Sequence, residues 1–334
     1  MFVLSHLISC DGAEREFKEY SFDVFDTVST VIGYEKDKAS FDKNADDVLS
    51  LLLEYHKLYD IYKRYDGITN LADVNMRAGD GTPLKVDERI VDLLLYAKEM
   101  YTITHGAVNV CMGSVLSLWH DKRSQGINDP ENASLPDMTL LQEASQHTDI
   151  DGLIIDETAS TVYVSDPDCS LDVGAIAKGY ATEMAARMLE ERGVSGYLLN
   201  IGGNVRIVGN KPDGTGWDLG VEDPKGEGDY IRILNIGKST SVVTSGSYQR
   251  YYTVGGKAYH HIIDPVTLMP SDKHLSVSVI CDNSAFSDAM STALFLMETK
   301  KAMELVESID GLEAIFITAD GQIIESEGYG AFVK

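Results

Sequence analysis

Between Phe41 and about Tyr65, the residues Val48, Leu51, Leu52, Tyr55, Leu58, Tyr59 and Tyr62 recur mostly at intervals of three and four. That period puts them on one face, so a long amphipathic helix is predicted over 41–65. A second helix is predicted over 87–101, entered by Val86-Asp87-Glu88. Residues 22–33 (FDVFDTVSTVIG) carry β-branched and aromatic side chains and predict a strand. Short strands follow at 153–155 and 161–164. A hairpin is predicted from 197–201 and 205–208 around Gly202-Gly203-Asn204. Between these, Ser170-Leu171-Asp172 leads into an amphipathic helix over 174–192, closed by Gly193. More short strands fill 216–262, a helix occupies 285–308, and a last hairpin turns at Ala319-Asp320-Gly321. The stretch 121–150 is polar, broken by Pro130 and Pro136, and reads as loop. Strands and helices come in runs without βαβ alternation, which predicts an α+β fold with mostly antiparallel sheet.

The chain has 334 residues, 44% hydrophobic and 24% charged, enough for one large domain or two intimate lobes. Residues 21–334 read as a single unit, preceded by a leader or disordered N-terminus. Lys and Arg number 28 against 53 Asp and Glu, a formal net charge of −25. Such a surface repels phosphate backbones, which argues against nucleic acid as a partner. An anionic ligand then needs a local device, such as a bound cation or a helix N-terminus. Cys10, Cys111, Cys169 and Cys281 have no paired spacing and there is no HExxH, so neither a disulfide scaffold nor a zinc site is indicated. No apolar run is long enough for a transmembrane span. Leu7-Ile8-Ser9-Cys10 resembles a bacterial lipoprotein cleavage box, which would anchor the protein by Cys10 on the extracytoplasmic face of a bacterial membrane. The missing basic n-region and the short apolar stretch fit the alternative, a cytoplasmic chain.

The fingerprints GxGxxG, GxxxxGK[ST] and GxSxG are absent. Four segments carry other chemistry. In Ser170–Ala181 (SLDVGAIAKGYA) a carboxylate and a glycine open a helix that also carries Lys178, placed one turn inside. Free N–H groups there suit a phosphate, and a capped surface helix packed closely through Gly174 and Gly179 fits the same residues. Asp288, Ser291 and Thr292 share one helix face and offer hard oxygens to Mg²⁺, or pack as an ordinary helix start. His261, in His260-His261-Ile262-Ile263-Asp264-Pro265, stands at a strand end as a general base or a structural histidine. Thr244-Ser245-Gly246-Ser247-Tyr248-Gln249-Arg250 is a hydroxyl-rich turn with an arginine.

In this order the segments resemble the ApbE family, the FAD:protein FMN transferases. Leu171–Tyr180 matches its Leu-Asp-Leu-Gly-Gly-Ile-Ala-Lys-Gly-Tyr run, and 200–204 its Asn-x-Gly-Gly-Asn turn. Residues 244–248, 261–267 and 288–293 match its Thr-Ser-Gly-Asp-Tyr, His-x-Ile-Asp-Pro-x-Thr and Asp-Ala-x-x-Thr-Ala motifs. Thr104–Asn109 with Leu116 and Trp119 resembles a Gly-Ala-Phe-Asp…Leu…Trp segment, and Phe25-Asp26-Thr27 sits where the family has Met-Gly-Thr. Asn109, Ser247 and Leu268 depart from the usual Asp, Asp and Gly.

The resemblance implies a two-lobed, T-fold-like architecture with the site between lobes. It implies FAD as substrate, contacted by Phe25, Tyr65, Ala107, Val108, Asn109, Asp172, Lys178 and Ile263. It implies Mg²⁺ held by Ala175 (through its carbonyl), Asp288 and Thr292, with Ser291 adjacent, and His261 as catalytic base. The implied reaction moves FMN onto a Thr or Ser hydroxyl of an acceptor flavoprotein and releases AMP. Acceptors would be subunits of membrane redox complexes or related extracytoplasmic proteins. An FAD pyrophosphatase or a non-catalytic flavin-binding protein would use the same site. Tyr65, read as ending the first helix, is expected to cover the flavin nucleotide and exclude water. His260 is expected to face away from His261 and to tolerate replacement.

Overall fold

The structure is a computed structural model and describes residues 14–334; the Cys10 box lies outside the described residues. Its centre is an eight-stranded antiparallel sheet whose strands lie side by side in chain order. They are β1 (Arg15–Val24), β2 (Thr27–Glu35), β3 (Tyr197–Ile201), β4 (Asn204–Val208), β5 (Thr240–Gly246), β6 (His274–Cys281), β7 (Glu313–Thr318) and β8 (Ile323–Glu325). The excursions between them build the rest. Residues 36–196, between β2 and β3, contain α1 (Lys38–Tyr59), α2 (Leu71–Met76), α3 (Glu88–Ile103), α4 (Gly113–Asn128), α5 (Met138–Ala144) and α6 (Ala177–Glu191). A small sheet of Leu84–Lys85, Leu153–Asp156 and Thr161–Val164 lies in the same insertion. Helices α7 (Ser284–Leu296) and α8 (Thr299–Glu307) connect β6 to β7.

Both faces of the sheet are covered, which is why β3 is almost continuously apolar. Leu199, Ile201 and Val208 pack with α1, α3 and α6 on one face. Leu198, Ile207, Val242 and Ile280 face the other way, onto Trp217, Leu234 and Ile236 of a hairpin between β4 and β5. The α+β, antiparallel expectation holds.

Several element boundaries differ from the sequence reading. The strand read over 22–33 is the β1–β2 hairpin, turning at Phe25 (φ 53°) and Asp26 (φ 50°) with no glycine to mark it. Helix α1 stops at Tyr59, because Asp60 is extended and its Oδ1 accepts the N–H groups of Tyr62 and Lys63. Tyr62 and Tyr65 continue the aromatic stripe in sequence but lie in the following loop. The polar stretch 121–150 holds the second half of α4 and all of α5. The helix read over 285–308 is two helices, parted at Met297-Glu298.

Candidate functional site

A cleft of about 560 Å³ opens between the helical insertion and the C-terminal ends of the sheet's excursions. Its lining takes Phe25 from the first hairpin, 107–109 from the loop before α4, 172–175 from the segment leading into α6, and Ala177 and Lys178 from its first turn. It also takes 244–246 from β5, His261 and Ile263 from the turn after Lys257–His260, and Asp288 and Thr292 from α7. Residues far apart in sequence that were read as separate signals therefore meet.

At the α6 entrance Asp172 holds the chain in a turn, its Oδ1 accepting from Gly174 N at 2.8 Å while its own N–H donates to Val110 O at 2.7 Å. The regular helix begins only at Ala177, so Lys178 stands in the first turn and not one turn inside. Gly179 brings α6 against α7. A Cβ there would sit 2.3 Å from Asp288 Cβ and 2.4 Å from Ser284 O. The contact lets Gly179 N donate to Asp288 Oδ2 at 2.8 Å and leaves Lys178 Nζ 3.7 Å from Asp288 Oδ1. Burial raises the Asp288 pKa, and Lys178 and the Gly179 N–H only partly oppose it.

Hard oxygen donors surround that carboxylate. Ser245 Oγ lies 2.8 Å from Ser291 Oγ and 3.3 Å from Thr292 Oγ1. Ser291 does not line the cleft: it is buried beneath it and donates to the Asp288 carbonyl. A buried carboxylate short of compensating charge, beside hydroxyl oxygens, fits a divalent cation such as Mg²⁺. Ala175 lines the same pocket.

His261 and His260 have different environments. His261 Nδ1 is shut off from solvent without a hydrogen-bond partner. Burial first, then the charges of Arg250 and Arg123, push its pKa down to about 3. The ring is therefore held neutral, with Nδ1 unpartnered. His260 is buried, with Nε2 donating to Ser271 O at 2.7 Å and Nδ1 accepting from Ile262 N at 3.2 Å. His260 lines the cleft and does not face away from it, and its ring ties two backbone segments together, which argues against tolerance of replacement.

Phe25 lines the cleft, and its N–H donates to His56 Nδ1 at 3.2 Å. Ala107 and Val108 line it too, and Ile263 is buried in its wall. Tyr65 does not line it: its hydroxyl donates to Asp60 Oδ2 at 2.8 Å, so it stands behind Asp60, which does. The aromatic presented at the mouth is Tyr62, 64% exposed and stacked on His120 with ring centroids 5.0 Å apart.

The departures from the family pattern have local accounts. Asn109 Nδ2 donates to Thr148 O at 2.8 Å while Oδ1 accepts from Cys111 N at 2.9 Å. An ionised Asp could accept from Cys111 but could not donate to Thr148. Ser247 donates its hydroxyl to Leu275 O. Leu268 adopts φ 61°, a conformation suited to glycine, and is held there by burial of its side chain and by Trp119 Nε1 donating to its carbonyl at 2.9 Å.

Sequence reasoning assigned no role to Tyr62, His120 or Arg123, and left Arg250 as part of a weak turn, although all four line the cleft. The helical spacing of His120 and Arg123 was a usable signal, hidden because α4 was read partly as loop. The buried pair of Glu183 and Arg206, with Arg206 Nε donating at 3.0 Å, was also missed; it joins α6 to β4, and Ser284 N at the start of α7 donates to the same carboxylate.

The comparisons agree with this architecture. The model of the ApbE family matches residues 25–316. An FAD:protein FMN transferase of Treponema pallidum is 31% identical over 98% of this chain and 91% of its own length. One from Klebsiella pneumoniae is 32% identical over 81% of this chain and 84% of its own. The crystal structure of the ApbE protein from Thermotoga maritima superposes with a TM-score of 0.83 at 29% identity, covering 96% of this chain and all of that one. Flavin transferase ApbE from Vibrio cholerae shares the fold, with a TM-score of 0.77 at 21% identity over 96% of this chain and 99% of that one. With its fold, its cleft and the span of these matches all concordant, the chain belongs to the ApbE family.

Proposed function

We propose that this enzyme transfers the FMN half of FAD to a Thr or Ser hydroxyl of an acceptor flavoprotein and releases AMP. The observation that carries the reading is the meeting of His261, Lys178 and the Asp288–Thr292 oxygens in one cleft of nucleotide size. The similarity to FAD:protein FMN transferases of Treponema pallidum and Klebsiella pneumoniae supports the transfer of FMN from FAD to a protein.

Asp288, Thr292 and the Ala175 carbonyl would hold Mg²⁺. When bound, that ion supplies charge neutralisation at the pyrophosphate oxygens. The chain's residues do the rest. Lys178 adds a point charge at the α6 N-terminus, whose helix dipole favours phosphate. His261 takes the acceptor hydroxyl proton as the oxygen forms its bond to the FMN phosphorus. The phosphoanhydride bond breaks, and its electron pair leaves on AMP. An anion beside Arg250, Arg123 and Lys178 offsets their repulsion of a charged imidazole, so substrate raises the basicity of His261. Acceptors would be flavin-carrying subunits of membrane redox complexes or related extracytoplasmic proteins. Among the described residues no helix is long and apolar enough to cross a membrane.

The placement of Tyr65 behind Asp60 favours a second reading, hydrolysis of FAD to FMN and AMP, because the ring does not cover the cleft. The deciding experiment follows AMP release from FAD and Mg²⁺ with and without a Thr-containing acceptor peptide. Peptide-dependent AMP with flavin covalently on the peptide is the expected result. AMP at the same rate without peptide identifies a pyrophosphatase. Flavin binding with no AMP in either arm identifies a binding protein.

A further inference from the structure

Most arginines of this chain are ion-paired, as expected where carboxylates far outnumber cations. Two cleft arginines are not. Neither Arg123 nor Arg250 has a carboxylate within ion-pair distance among the described residues. Of the cleft carboxylates, Asp60 is engaged by Tyr65 and two backbone N–H groups, Asp288 by the Gly179 N–H, and Asp172 by the Gly174 N–H; Asp172 attracts Arg123 only from beyond ion-pair distance, and Asp26 pairs with neither arginine among the described residues. Arg123 is oriented by one bond, Nη2 donating to His120 Nδ1 at 3.1 Å. Its pKa is lowered, by burial first and then by the charge of Arg250, so the two guanidiniums repel each other. Holding two like charges together in an acidic protein is unfavourable until an anion joins them, and the guanidinium fork matches phosphate oxygens two at a time.

We propose that Arg123 and Arg250 form a phosphate clamp beside His261 that selects phosphate-bearing flavins and holds the pyrophosphate independently of the metal. The assignment of that phosphate to a flavin nucleotide rests on the function proposed above; the clamp itself does not. It is a second anion device beside Lys178 and the α6 N-terminus, and it explains how a chain of net charge −25 takes up an anion.

The test uses the full chain in EDTA, with inorganic pyrophosphate as probe and thermal melting as readout. Pyrophosphate at roughly 100 times its dissociation constant is expected to raise the wild-type Tm by about 3–8 °C. The rise should fall by more than half in Arg250→Gln, disappear in Arg123→Gln/Arg250→Gln, and return in part in Arg250→Lys. Arg250 is exposed, so its single variant keeps the fold. A second titration compares FMN with riboflavin by fluorescence quenching. Wild type should prefer FMN by about tenfold or more, and the double variant should bind both alike. No pyrophosphate effect on wild type, or an equal effect on wild type and double variant, overturns the clamp. Failure of FMN and FAD to bind while the pyrophosphate effect persists overturns the flavin reading and leaves the clamp standing.

Discussion

Adjacent histidines in the cleft wall separate chemistry from architecture. His261→Ala should cut FMN transfer by about 10²–10⁴-fold while FAD affinity and stability stay near wild type. His260→Ala should lose about 1–3 kcal/mol in urea unfolding, because it strips partners from the Ser271 carbonyl and the Ile262 N–H. Equal loss of stability in the two variants would remove the division of roles. Asn109 makes a related point. Asn109→Asp restores the residue usual in the family, yet here it sets a carboxylate against the Thr148 carbonyl. We expect a loss of about 1–3 kcal/mol without tighter flavin binding. An unchanged unfolding midpoint would show that the Thr148 contact is dispensable.

At the scale of elements, the cleft depends on how closely α6 approaches α7. Gly179→Ala drives a methyl into Asp288 Cβ and the Ser284 carbonyl, and backbone cannot swing aside as a flexible side chain can. The expected cost is about 1–3 kcal/mol in urea unfolding, with a higher Mg²⁺ requirement for turnover because Asp288 moves. Wild-type stability together with a wild-type Mg²⁺ profile would refute the close contact. The sequence reading succeeded where period and burial coincide: α1, α3 and the β3–β4 hairpin each bury one legible apolar pattern. It failed where function interrupts the pattern. His120, Arg123 and Gly126 break the apolar face of α4, since the first two serve the cleft and Gly126 admits the Tyr252 ring. The β1–β2 turn was invisible because Phe25 and Asp26 hold left-handed φ values that usually announce glycine or asparagine. The motif residues were legible as chemistry, but which of them faced one another was not, because that depends on contacts between residues about a hundred positions apart.

For the whole molecule, charge sets the approach of substrate. At long range FAD meets a net charge of −25, and only inside the cleft does it meet Lys178, Arg123 and Arg250. Raising NaCl from 10 to 150 mM shortens the screening length from roughly 30 to 8 Å. We expect stopped-flow FAD association to become severalfold faster; slower association would show that the cleft's own field dominates. Acidity acts on the fold through buried histidines. Burial lowers the pKa values of His260 and His274, so the native state binds fewer protons than the unfolded chain. Their contribution is present above about pH 6.5 and is lost as pH falls below it. Asp172 and Asp288, raised by burial, act in the opposite sense, so the comparison must hold them constant. The stability advantage of wild type over His274→Gln should therefore shrink between pH 7.5 and 5.5; a constant difference in unfolding midpoint would contradict it.

The order of strands in the sheet also bears on how the chain acquires activity. Strands β3 to β8 join neighbours through modest connections within residues 197–325, whereas β2 reaches β3 only after the whole of 36–196 has been threaded. Closing so long a loop is entropically the hardest pairing in the sheet. The walls of the cleft straddle that joint, with Phe25 on one side and Thr244, His261 and Asp288 on the other. A ribosome-bound chain that has not yet extruded α7 lacks Asp288 and Thr292, and one whose first hairpin has not docked lacks the Phe25 wall. Catalysis is thus a property of the finished topology, and no fragment ending before α7 carries a complete site.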